Sequence, residues 1–314
     1  MLKRIYIAGG GGMLGEAFYQ QFKKEFELKV TDIDVNEKWI SFLDFRDFAA
    51  YKDDVLSFKP DYLFHLGALT GLEYCEENID DCYATNSLAV EHAVSISNLS
   101  EIPLLYISTA GIFDGNKNAY DDWDTPNPLG NYGRSKYRGE QFVIENKKKH
   151  LVCRAGWMMG GGPAKDKKFV GKILKQIKEG KEELNIVKDK FGTPTYTHDF
   201  AKNVKLLLDK ERWGVYNLAC EGETSRLEVA REIIKLLNLR EAISLNEVSS
   251  DFFKTEYFSP RPASENLINT RLNSLQLNIM RNWKACLKEY LDSYYENYFD
   301  RAINPDWISQ LRGS

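Results

Sequence analysis

Tyr132 and Lys136 stand four residues apart in Asn131-Tyr132-Gly133-Arg134-Ser135-Lys136. On a helix that spacing puts a phenol and an ammonium on one face. A neighbouring cation stabilises a phenolate and lowers a tyrosine pKa from its reference of about 10. The pair therefore predicts proton transfer near neutral pH. Ser108-Thr109 lies upstream, after the apolar run Leu104-Leu105-Tyr106-Ile107. A hydroxyl from a strand end and a phenol from the next helix can meet one carbonyl oxygen. Thr109 would donate a hydrogen bond to it, and Tyr132 would deliver a proton as hydride arrives from a nicotinamide. Lys136 would hold the nicotinamide ribose and keep the phenol acidic.

The elements that must position these groups begin at the N-terminus. Lys3-Arg4-Ile5-Tyr6-Ile7-Ala8 reads as a buried strand, Gly9-Gly10-Gly11-Gly12-Met13-Leu14-Gly15 as a loop, and Glu16 to Phe22 as an amphipathic helix. The loop satisfies Gly9-x-x-Gly12-x-x-Gly15 and also Gly10-x-Gly12-x-x-Gly15. In such a loop the first glycine allows the turn, the middle one lets backbone N–H groups approach a pyrophosphate, and the last lets helix pack on strand. A second strand, Leu28-Lys29-Val30-Thr31, ends at Asp32. A carboxylate there suits a free ribose 2′-hydroxyl and repels a 2′-phosphate. NAD(H) is therefore the favoured cofactor, with NADP(H) admitted.

Strand-like and helix-like runs alternate through the first half. Strands are expected near 39–43, 62–66, 104–107 and 151–153, and helices over 45–58, 80–99 and from Tyr132 to 149. This alternation implies right-handed βαβ units: an α/β, Rossmann-type doubly wound parallel sheet. Ligands then sit beyond the C-terminal strand ends. Gly160-Gly161-Gly162-Pro163 breaks the pattern. Residues 1–158 are expected to form a dinucleotide-binding domain, with return segments near 195–220. Residues 159–314 are expected to form mainly a smaller C-terminal α/β lobe, with helices near 167–179, 198–208, 224–237 and 284–298, and a strand at 215–218.

The 314 residues are 43% hydrophobic and 28% charged, with a net charge of −4, ordinary values for a globular protein without a nucleic-acid surface. The basic run Lys147-Lys148-Lys149-His150 reads as a solvated helix end. No apolar run approaches the ~20 residues of a membrane span, and no signal-peptide core opens the chain. Five scattered cysteines and four histidines at wide spacing predict reduced thiols, a cytoplasmic setting and no metal site.

Taken together these stretches resemble the extended short-chain dehydrogenase/reductase family, and within it the dTDP-4-dehydrorhamnose reductase branch. The matching stretches continue through Leu43-Asp44-Phe45, His65-Leu66-Gly67-Ala68-Leu69-Thr70 with Glu73 and Glu76, and Asn86. They then run through Ser108 to Gly115, Gly139-Glu140, Arg154-Ala155-Gly156-Trp157, Asp189 with Phe191-Gly192-Thr193-Pro194-Thr195, and Arg261-Pro262. The resemblance implies a dinucleotide held by Gly9, Gly12, Met13, Leu14, Gly15, Asp32, Asp44, Phe45, Leu66, Gly67, Ala68, Tyr132 and Lys136. It implies a nucleotide-linked 4-keto-6-deoxy sugar as substrate, met by Thr70, Thr109, Trp157 and Arg261. Asn86 is carried over as a helix-shaping polar residue. Other readings within the resemblance are a nucleotide-sugar epimerase or C4-dehydrogenase, and a non-catalytic dinucleotide-binding regulatory subunit. A homodimer is compatible with it.

Four features depart from the branch. Ala110 stands where an acid usually follows Ser-Thr, which removes the obvious acid–base partner of a 4,6-dehydratase. Gly67 replaces a second alanine, residues 157–162 are rich in Met and Gly, and Ala17 occupies a position where a metal-bridged dimer would use an early Glu.

Overall fold

The computed structural model describes residues 2–296 together with 298 and 299. The 300–314 part of the expected lobe lies outside the described residues. Six strands open the chain: β1 (Lys3–Ala8), β2 (Phe26–Asp32), β3 (Ile40–Phe42), β4 (Tyr62–His65), β5 (Leu104–Thr109) and β6 (His150–Ala155). With the later strand Gly214–Leu218 they form one parallel sheet, in the order Gly214–Leu218, β6, β5, β4, β1, β2, β3. The chain reverses its direction of growth between β1 and β4. That is the crevice where a doubly wound sheet binds its ligand.

Helices bury both faces, so the central strands are apolar along most of their length. On one face Phe18 and Phe22, from the helix Met13–Phe22, pack with Phe64 and Phe200. On the other, Tyr6, Tyr51, Leu63, Val90, Tyr106 and Val152 form a second core. A fully buried aromatic or aliphatic side chain of this kind contributes about 1.5–3 kcal/mol.

A third core lies in the C-terminal lobe and joins Met159, Ile173, Leu174, Ile186, Ile233, Leu287 and Tyr290. Its helices are Phe169–Lys178, Arg226–Leu236 and Trp283–Tyr294. Three strand pairs there escaped the sequence reading: Glu183–Val187 with Ser244–Val248, Trp157–Met159 with Pro194–Tyr196, and Phe191–Gly192 with Thr224–Ser225. They are two to five residues long, too short to show a period.

Two other expectations are corrected. The helix expected over 80–99 is interrupted by a π-helical turn, Ala84–Leu88, between Ile79–Tyr83 and Ala89–Leu99. Lys147 is buried rather than solvated, and its Nζ donates to Ser97 O at 3.0 Å. The ammonium thus serves the C-terminal carbonyls of a neighbouring helix. Among the described residues no helix is long and apolar enough to cross a membrane.

Candidate active site

The first two turns of the helix Asn131–Asn146 carry Tyr132 and, one turn further on, Lys136. Glu76 sets where that helix begins: its carboxylate accepts from Asn131 N at 2.7 Å and Asn131 Nδ2 at 2.6 Å. An acid at a helix N-terminus also complements the dipole. Asn86, fully buried in the π turn, pairs with both Leu69 N (2.9 Å) and Leu69 O (3.0 Å). The same side chain donates to Ser135 Oγ at 3.1 Å. One amide therefore ties the loop after β4 to the Tyr132 helix.

Lys136 is almost fully buried. Its Nζ donates to Ile107 O at 2.7 Å and stands 4.2 Å from the Tyr106 ring centroid. Burial pushes its pKa down to about 7. Thr109 ends β5, and its Oγ1 accepts from Gly111 N at 3.1 Å. Gly111 adjoins both Thr109 Oγ1 and the Tyr132 ring, so the three meet at one corner. Burial raises the Tyr132 phenol, a hydrogen bond with Thr109 lowers it, and the net value is about 12. The lowering expected from Lys136 is thus not what the protein's own groups produce. The ammonium is engaged by the Ile107 carbonyl and is itself reluctant to stay charged. Tyr132 is a protonated phenol at neutral pH, able to give a proton.

The glycine-rich loop follows β1. Gly9 has φ +86°, and a Cβ there would lie 2.2 Å from Gly67 Cα. A Cβ on Gly15 would strike Gly10 O at 1.7 Å, so the helix rests directly on the loop. Gly12 differs, since a Cβ there would meet nothing within 4 Å. It heads the helix Met13–Phe22 with no side-chain cap. Open space over uncapped helix N–H groups is a seat for a phosphate anion. A dinucleotide pyrophosphate therefore fits these residues. Leu14 is buried behind the loop, and Met13 is partly exposed at its rim. Asp32 ends β2 and accepts from Gly11 N at 2.8 Å and Asp34 N at 2.9 Å.

Phe45 is buried against His65 and explains Gly67: a Cβ at position 67 would lie 2.2 Å from its ring. Leu66 is buried and Ala68 partly exposed on the same turn. Asp44 binds Arg46 through Nη2 at 2.7 Å, and that guanidinium holds its carboxyl below the usual range. Ala110 is 1% exposed and packs with Ile112, Phe113 and Tyr120, so the position usually acidic is apolar core here.

From the lobe, Trp157 donates Nε1–H to Glu265 at 2.7 Å, and a Cβ on Gly192 would strike its ring. Thr70 is exposed, and its Oγ1 accepts from Lys168 Nζ at 2.9 Å. Arg261 is ion-paired with Glu73 at 2.7 Å and donates to Ser259 O at 3.0 Å. Three further residues reach this region without having been singled out as site residues: Glu265 and Arg226, against Trp157, and Lys168, against Thr70. None stands in a motif, and each arrives from a different lobe element. Glu76 was seen as part of a matching stretch, but the helix cap it makes needed the fold.

The parallel sheet and the glycine-rich turn at its switch point define a Rossmann-like α/β protein of the short-chain dehydrogenase/reductase type. More narrowly, the chain belongs to the RmlD substrate binding domain family, whose model matches residues 3–296. It is 28% identical over 292 residues to the spore coat polysaccharide biosynthesis protein SpsK of Bacillus subtilis, covering 92% of this chain and 97% of that one. It is also similar to the crystal structure of dTDP-4-dehydrorhamnose reductase from Yersinia enterocolitica, with 32% identity, a TM-score of 0.83, and 93% and 99% of the two chains covered. The Bacillus anthracis dTDP-4-dehydrorhamnose reductase, solved in complex with NADP, gives 26% identity, a TM-score of 0.84 and the same coverage.

Proposed function

We propose that the protein is an NAD(P)H-dependent sugar-nucleotide oxidoreductase that reduces the C4 ketone of a nucleotide-linked 4-keto-6-deoxy sugar, as dTDP-4-dehydrorhamnose reductase does. The observation that carries this reading is the meeting of Thr109, Tyr132 and Lys136 at the C-terminal edge of β5 in a chain of this family. A bound reduced nicotinamide supplies the hydride. Thr109 donates a hydrogen bond to the ketone oxygen, and Tyr132 delivers the proton that makes it a hydroxyl. Lys136 holds the nicotinamide ribose beside them.

Gly9, Gly12, Met13, Leu14 and Gly15 seat the pyrophosphate, and Asp32 faces the adenosine ribose with a bias toward NAD(H). Asp44, Phe45, Leu66, Gly67 and Ala68 form the wall of the adenosine site. Thr70 and Trp157 line the sugar pocket, and Arg261 serves the substrate diphosphate. In this reading residues 1–158, with the return segments near 195–220, hold the cofactor and present Thr70, Thr109 and Trp157 to the substrate, and residues 159–314 form mainly the substrate lobe.

The test is a panel of dTDP-, UDP-, GDP- and CDP-linked 4-keto sugars with NADH and NADPH, followed by reduced-nicotinamide absorbance. Oxidation with at least one of them is expected. Cofactor binding with no oxidation on any sugar identifies a non-catalytic module. Isomerisation without net oxidation identifies an epimerase.

A further inference from the structure

Two arginines approach the substrate side of the site, and they are differently employed. Arg261 is already paired with Glu73 at 2.7 Å. Arg226 begins the helix Arg226–Leu236, and its guanidinium lies 4.4 Å from the Trp157 ring centroid and 4.8 Å from that of Phe169. Among the described residues no carboxylate lies within 4.0 Å of that guanidinium, and no side-chain hydrogen bond holds it. The neighbouring carboxylate, Glu265, is engaged by Trp157 Nε1. Lys168 stands on the same side and donates to Thr70 O and Oγ1.

This half-buried guanidinium has no acceptor from the described residues, and none of its nitrogens is sealed from solvent, so its donors are open to a ligand. Its faces are covered by aromatic rings, so the N–H edge is the part left to act. A planar fork of donors matches phosphate oxygens in a bidentate way. Desolvation of the charged group holds the Arg226 pKa below the ordinary arginine value.

We propose that Arg226 is a substrate-binding residue whose guanidinium, braced on Trp157, binds the diphosphate of the nucleotide-linked substrate as a second cation beside Arg261. This assignment rests on the nucleotide-sugar reading above. Trp157 then has two tasks, since one ring lines the sugar pocket and carries the arginine that fixes the diphosphate.

The experiment is calorimetric titration of the full chain with dTDP, UDP and thymidine, for the wild type, Arg226→Met and Arg226→Lys. Met keeps the stem packed on Trp157, and Lys keeps the charge without the fork. NADPH affinity, measured on each protein, reports a folded cofactor site. We expect Arg226→Met to lose about tenfold or more in nucleoside diphosphate affinity, as for a charged hydrogen-bonding group. Thymidine and NADPH affinities should stay unchanged, and Arg226→Lys should recover part of the loss. Unchanged diphosphate affinity in Arg226→Met overturns the assignment, and so does an equal loss for thymidine. A wild type that binds none of dTDP, UDP, GDP and CDP defeats the nucleotide-sugar reading itself.

Discussion

Lys136 reaches from the second turn of its helix to the Ile107 carbonyl, 2.7 Å away inside β5. The contact joins the helix that carries the phenol to the strand that ends in Thr109. It holds the two halves of the site together within the protein's own bonds. It also buries an ammonium, and burial pushes that group down to about 7.

Replacing Tyr132 by Phe removes the proton donor but keeps the ring. Turnover should fall by about 10²–10⁴, the usual share of a positioned acid. NADH or NADPH affinity, read by fluorescence titration, should stay within about twofold of wild type, equivalent to under 0.5 kcal/mol. Undiminished turnover would show that another group delivers the proton.

The lowered pKa of Lys136 has a definite sign for stability. Between about 7 and 10.5 the unfolded chain binds this proton and the folded chain releases it. Stability therefore rises with pH across that window, and the cost of burying the charge is fully present below about 7. Lys136→Met should raise the melting temperature at pH 6 relative to wild type, narrow the gap at pH 9, and lose activity. A melting temperature lowered equally at both pH values contradicts this account.

Gly67→Ala should destabilise by about 1–3 kcal/mol, because the new methyl enters the Phe45 ring and the core must shift. Adding Phe45→Leu should restore much of the loss. Denaturant midpoints of the two single variants and the double variant test the coupling.

Asp32→Ser should improve NADPH affinity relative to NADH by about tenfold, as removal of one close like charge from a 2′-phosphate would. The carboxylate also holds Gly11 N, so affinity for both cofactors should fall somewhat. Side-by-side titrations that show no change in the ratio remove Asp32 from cofactor choice.

Glu140 and Arg154 form a buried ion pair, 5% or less exposed, with Arg154 Nε at 3.1 Å from Glu140 Oε1. Arg154 also donates to Asp122 O at 3.2 Å. Glu140→Gln should cost about 3–5 kcal/mol by leaving a buried cation unpaired. The double change Glu140→Leu with Arg154→Met should cost less than that in chemical denaturation, where an equal or larger loss would mean packing dominates.

The sequence determined the framework because its signals are local. A glycine-rich turn, an acid at a strand end, and apolar runs that alternate with helical ones are properties of short segments, and the sheet follows from them. The places of Gly9 in a loop, Asp32 and Thr109 at strand ends, and Tyr132 and Lys136 on one helix were legible for that reason. Only the tertiary structure decided the electrostatics and the partners. Lys136 faces a carbonyl in β5 and a tyrosine ring rather than bulk water, so its charge is penalised, and burial of the Tyr132 phenol makes that group rise instead of fall. Among the described residues Arg261 has a carboxylate partner and Arg226 has none, although nothing in their neighbouring residues separates them. Burial and pairing depend on which distant segments arrive at the same place, and that is fixed by packing across the whole chain.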